Sequence, residues 1–116
     1  MSIERLDAGA RMSQGVVYGN LVYLAGQVAE TKHGQSVTEQ TKEILAQIDA
    51  LLARAGSDKT RILSANIYLA DIATFGEMNV VWESWVVPGQ TPARATIEAK
   101  LAAPQYTVEI QVVAAK

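Results

Sequence analysis

The stretch "PARATIEAKLAAPQYTVEI", from Pro92 to Ile110, decides how this chain closes its sheet. Its alternation reads as two strands bracketing "LAAPQY". On the first, Ala95, Ile97, Ala99 and Leu101 share one side, while Arg94, Thr96, Glu98 and Lys100 share the other. On the second, Val108, Ile110, Val112 and Ala114 form the apolar set and leave Glu109 and Gln111 opposite. If the apolar sets lie beneath a helical layer, Arg94 and Glu109 both project from the uncovered face. A hairpin turn near Ala103-Pro104 would place Glu109 across from Glu98 and Arg94 across from Val113. The two charges are then roughly 13 Å apart along the ladder, too far to pair within one chain and well spaced to flank a small ligand.

Earlier in the chain, "QGVVYGNLVYLAGQ" contains two β-rich runs, Gly15 to Tyr18 and Leu21 to Ala25, linked by Gly19-Asn20, a pair that suits a tight hairpin turn. A short leading strand is also suggested at Ile3 to Leu6. The segment "SVTEQTKEILAQIDALLARAG" has Ser36 three residues before Glu39, the spacing of a capping box. Apolar residues Ile44, Leu45, Ile48, Leu51, Leu52 and Ala55 then follow at helical spacing, up to Gly56. "RILSANIYLAD" alternates as a strand, with Leu63, Ala65, Ile67 and Leu69 on one side. Thr74 and Glu77 repeat the capping spacing, and Phe75, Met78, Trp82 and Trp85 mark a second helical stripe that ends by Pro88-Gly89.

The resulting order, β-β-α-β-α-β-β after the leading strand, predicts an α+β fold: a mainly antiparallel six-stranded sheet with two helices on one face. A chain of 116 residues makes one domain, 1–116, without internal repeat or linker. The formal charge of -2 offers no electrostatic attraction to phosphate backbones or anionic membranes, so neither nucleic acid nor membrane is the expected partner. No cysteine is present, which excludes disulfides and thiol chemistry. "MSIERLDAGARMSQG" lacks the cationic start and apolar run of a secretory leader, and no stretch reaches the roughly 20 apolar residues of a membrane span. A soluble, cytoplasmic protein is therefore the expectation.

Two readings compete for the open face. One is a solvated surface with an exposed ion pair worth about 0–1 kcal/mol. The other follows from Tyr23, Tyr68 and Val113, which make the face too apolar to be bare and call for closed association of copies, with polar residues at the edge lining clefts between subunits. His33, the single histidine, sits in the polar loop "ETKHGQ" and gives little support to a metal site or a Ser-His-Asp triad. Trp82 and Trp85 read as core or interface packing, Asn79 as helix surface, and Gly26 as the end of a strand.

Three segments carry a family resemblance: "GNLVYLAGQ" (Gly19 to Gln27), "NIYLADIATFGEMNVVWESW" (Asn66 to Trp85) and "PARATIEAKL...VEIQVVA" (Pro92 to Ala114). Together they resemble the Rid, or YjgF-type, family of reactive-intermediate (enamine/imine) deaminases, and "LAQIDALLARAGS" with the paired tryptophans is most similar to its YoaB-type branch. The resemblance implies a chorismate-mutase-like fold assembled as a homotrimer with sites in the clefts between subunits. It also implies a cofactor-independent, metal-free hydrolysis of 2-iminopropanoate-type imino acids to 2-keto acids and ammonia. Those imines arise from the 2-aminoacrylate-type enamines that pyridoxal-phosphate dehydratases release.

Residue by residue, the resemblance makes Arg94 the anchor for the substrate carboxylate, which a guanidinium can grip through two parallel hydrogen bonds. Glu109 becomes the acid/base beside the attacking water. Gly26 is the glycine whose backbone approaches the ligand, Thr96 lies beside the ligand, and Asn79 is the helix asparagine at the cleft. Met12 stands where the best-known branch carries a tyrosine over the site. A non-catalytic trimeric binder of small keto acids would use the same arginine, and an RNA-directed activity is the third class.

Overall fold

A computed structural model describes all 116 residues. The strands are β1 (Ile3–Leu6), β2 (Gly15–Tyr18), β3 (Leu21–Leu24), β4 (Ile62–Leu69), β5 (Ala93–Glu98) and β6 (Val108–Ala115), and the helices are α1 (Val37–Arg54) and α2 (Phe75–Trp85). They form one six-stranded sheet in the order β1-β2-β3-β6-β4-β5. Every neighbouring pair is antiparallel except β4 and β5, which run parallel. The molecule is a slab of 43 × 38 × 21 Å, as a single sheet with one helical layer requires.

The core lies between that layer and one sheet face. Ile44, Leu45, Ile48 and Leu52 of α1 meet Val22, Ile67, Val108 and Ile110 there, all fully or almost fully buried. Each such side chain contributes about 1.5–3 kcal/mol through burial. Helix α1 begins where Ser36 Oγ accepts the Glu39 N–H at 3.2 Å, and it stops at Gly56, whose φ of +82° few other residues tolerate. The β2–β3 link is the predicted hairpin, with Gly19 at φ +60°.

Three local readings are corrected. Thr74 does not cap α2; Asp71 caps the preceding 3-10 turn by accepting the Ala73 N–H, and the Glu77 carboxylate reaches across to accept the Thr38 N–H and hydroxyl at the start of α1. Leu63 does not belong to the buried side of β4, because the β4–β6 register shifts between Ile62 and Ser64 and leaves it 50% exposed. The last two strands do not form a hairpin. Helix α2 returns the chain parallel to β4, so β5 becomes a sheet edge and β6 inserts between β3 and β4.

Candidate functional site

The new place of β5 moves Arg94. It pairs with Ala65 of β4, a core residue, so its side chain points toward the helical layer and not toward the open face predicted for it. Helix α2 meets it there. Arg94 Nη1 donates to Asn79 Oδ1 at 2.8 Å, and the guanidinium lies 5.6 Å from the Phe75 ring centroid and 5.4 Å from that of Trp82. Phe75, Asn79 and Trp82 lie four and three residues apart, on one side of the helix.

The ion pairs of the molecule are Lys42–Glu39 and Arg54–Asp7, so no acid lies against Arg94. Of five guanidinium N–H donors, one is engaged within the chain. Thr96, two residues along the same side of β5, has a buried hydroxyl with no partner. Arg94, Asn79 and Thr96 thus come together as the sequence suggested, but on the opposite side of the sheet.

Glu109 does project from the open face, since it pairs with Tyr68 between the core residues Val108 and Ile110. Its carboxylate lies over Gly26: a Cβ placed on Gly26 would be 2.1 Å from Glu109 Oε2. Only a glycine leaves that space. The register explains the approach. Tyr23 faces Val113, while further along Gln27 faces Ile110, so four steps on one strand match three on the other. The extra residue makes a bulge at the end of β3, a feature that re-aims neighbouring side chains. Met12 lies in the exposed β1–β2 connection, two residues before Gln14, whose carbonyl accepts the Ala25 N–H at 2.9 Å. Gly26, Glu109 and the Met12 loop therefore share one region.

The two groups are apart within the chain. Counted through β4, Arg94 and Glu109 are offset by three residues and two strand spacings, roughly 14 Å, and they emerge from opposite faces. The largest concavity, about 670 Å³ under the Glu98–Tyr106 loop, contains none of the six predicted residues. No other concavity is lined by Arg94 or Glu109. No three His, Asp or Glu side chains are placed to share a metal ion, and no helix is long and apolar enough to cross a membrane. His33 is exposed in a turn.

Their apolar character assigns Phe75 and Trp82 to packing; their spacing around Asn79 is the sign in the sequence that they face a common partner. No motif in the sequence singles out Gln27.

The family described as "Endoribonuclease L-PSP" matches residues 2–116. This chain belongs to that family, whose members are also called RutC or YjgF proteins. A RutC family protein of Haemophilus influenzae is 47% identical over 98% of both chains, and YoaB of Escherichia coli is 48% identical over 99% of both. The crystal structure of a YjgF-family protein from Neisseria meningitidis, 46% identical, superposes with a TM-score of 0.96 and covers 100% of this chain and 96% of its own. For this family member the fold is thus an α+β sheet of six strands with two helices, as expected from sequence.

Proposed function

We propose that this YjgF-family protein hydrolyses small 2-imino acids, of the 2-iminopropanoate type, to 2-keto acids and ammonia. The observation that carries the reading is the Arg94 cluster. Its guanidinium is held by a neutral amide and two aromatic faces, so most of its donors are free for a carboxylate. An arginine kept for structure is more often matched with an acid.

The chemistry asks for little more. Water adds to the carbon of the N-protonated imine while the Glu109 carboxylate accepts a water proton, giving the neutral carbinolamine. The carboxyl returns that proton to nitrogen, and the carboxylate then takes the hydroxyl proton as the C=O forms and the C–N bond breaks to release ammonia. Positioning and proton transfer suffice, since the imine already hydrolyses in water.

One small keto acid cannot touch Arg94 and Glu109 of the same chain across roughly 14 Å and two sheet faces. The reading therefore includes a homotrimer in which Arg94 of one subunit meets Glu109 of the next. The open face favours such association: Val16, Tyr23 and Val113 form a cross-strand row on it, with Tyr23 46% exposed, and Ile97 on the edge strand β5 is 51% exposed.

A keto-acid binder without turnover is the second reading, favoured by the fact that the arginine cluster is complete without Glu109. A coupled assay decides. With 2-aminoacrylate supplied by a dehydratase, the protein should accelerate pyruvate appearance. Glu109→Gln should lower the rate about 100-fold or more while pyruvate still binds, and Arg94→Ala should weaken binding about 10-fold or more. Unchanged turnover in Glu109→Gln removes the catalytic role. Nuclease activity lost in Arg94→Ala would replace the reading, against the charge of -2 and the lone loop histidine.

A further inference from the structure

Beneath Glu109 runs a chain of glutamine carboxamides. Gln27 is 4% exposed, yet both polar atoms of its carboxamide are engaged: Nε2 donates to Gln14 Oε1 at 3.0 Å and to the Ala25 carbonyl at 3.1 Å, and Oε1 accepts from Gln47 Nε2 at 3.1 Å. Gln47 Nε2 also donates to the Val28 carbonyl at 3.0 Å. The relay thus spans from α1, through the bulge after β3 that carries Gly26, to the loop that carries Met12.

Its position within the bulge is what matters. The irregular register leaves the Ala25 carbonyl without a partner on β6, and the Gln27 side chain satisfies it. The Gln27 backbone resumes pairing at once, exchanging both hydrogen bonds with Ile110, the residue after Glu109, at 2.8 and 3.1 Å. The Glu109 side chain makes no hydrogen bond within the chain, so its carboxylate is located by the backbone on either side and by the space over Gly26.

We infer that Gln27 is a positioning residue: its carboxamide holds the bulge that sets Gly26 beneath the Glu109 carboxylate and ties that bulge to the Met12 loop. The effect on turnover rests on the imine-hydrolysis reading; the effect on geometry does not. The polarity of the relay makes the role specific, because two of the three contacts need Gln27 as a donor. A methionine fills the same volume without donors, and a glutamate turns those donors into acceptors facing carbonyl oxygens.

Gln40 provides the control. It is fully buried and equally engaged, donating to the Gln35 and Gln105 carbonyls and accepting the Thr107 N–H, but it has no link to the bulge. Both Gln27→Met and Gln40→Met should lower the melting temperature. Gln27→Met should also lower kcat about 10-fold or more while the Kd for pyruvate stays within about twofold, because the Arg94 cluster lies on the other face. Gln27→Glu should behave like Gln27→Met, and Gln40→Met should keep kcat within about twofold.

Independently of turnover, the Gly26 amide and Glu109 side-chain carboxyl resonances should shift in Gln27→Met and stay in Gln40→Met. If the parent protein releases no pyruvate, the hydrolysis reading fails and these resonances alone decide the role of Gln27. Resonances unmoved by Gln27→Met, or a kcat loss no greater than that of Gln40→Met, would overturn the inference. Should Gln27→Met not fold, Gln14→Ala, which removes only the loop end of the relay, carries the same two readouts.

Discussion

At Gly26 one added carbon atom tests packing and the proposed chemistry separately. Adding a methyl group there puts carbon 2.1 Å from Glu109 Oε2, 2.9 Å from its Cδ and 3.3 Å from its Cγ. The nearest atom is the free end of a side chain that makes no hydrogen bond, so it can swing away cheaply. We therefore expect Gly26→Ala to fold normally, with stability changed by about 1 kcal/mol or less. The displaced carboxylate should cost about 10-fold or more in kcat for imine hydrolysis, since small misplacements of a proton-transfer group are expensive. Thermal melts beside the coupled assay test this; a large drop in melting temperature with kcat intact would mean that the glycine serves packing alone. At the same scale, family resemblance proposes Arg94, Asn79, Thr96, Gly26 and Glu109 for the site, but it does not say on which side of the sheet Arg94 stands. Alternation says which residues share a side, and only the Phe75, Asn79 and Trp82 contacts say which side it is.

Elements were legible where their signal is local. Ser36 and Gly56 bracket α1 with the apolar stripe between them, and Gly19-Asn20 joins β2 to β3. Partner choice was not legible. Consecutive strands usually pair, and "LAAPQY" resembles a turn, yet β5 gains a parallel partner in β4 because α2 carries the chain back across the sheet. Ile97 then faces outward despite its apolar character. Acidic residues show the same tertiary override, since Glu77 caps a helix other than its own. Glu43 of α1 likewise leaves its helix to accept the Thr31 N–H at 3.0 Å, the Thr31 hydroxyl at 2.7 Å and the Lys32 N–H at 2.7 Å. Removal from water acts to raise the Glu43 pKa, but these hydrogen bonds outweigh it and leave the group below its ordinary 4.5. A depressed carboxylate stabilises the fold fully above its unfolded value, and that contribution disappears as pH falls through the folded value. Glu43→Gln should thus lower the melting temperature at neutral pH, and the gap to the parent should narrow on acidification from about pH 4.5 downward. A gap that is constant with pH would show that ionisation of Glu43 contributes nothing.

Under the proposed chemistry, the whole molecule poses a geometric problem that assembly would solve. The arginine cluster faces the helices at one sheet edge, while Glu109 stands over Gly26 on the bare face. Under the proposed homotrimer, each site takes Arg94 from one subunit and Glu109 from its neighbour. Two dead variants should then rescue each other. In a randomly mixed trimer of Arg94→Ala and Glu109→Gln subunits, a site is intact when the subunit giving the arginine carries only the Glu109 change and the next carries only the Arg94 change. At equal amounts and with free exchange, that happens at about one quarter of sites. Mixing the purified variants after dissociation and reassociation should therefore restore about a quarter of parental turnover, whereas each variant alone stays inactive. Sedimentation should report three subunits, and Tyr23→Lys, placing a charge in the Val16–Tyr23–Val113 row, should shift it toward smaller species and abolish turnover. Absence of rescue in mixtures verified to contain hybrid trimers would mean that no site combines Arg94 of one subunit with Glu109 of the next, and the shared-cleft arrangement would have to be abandoned.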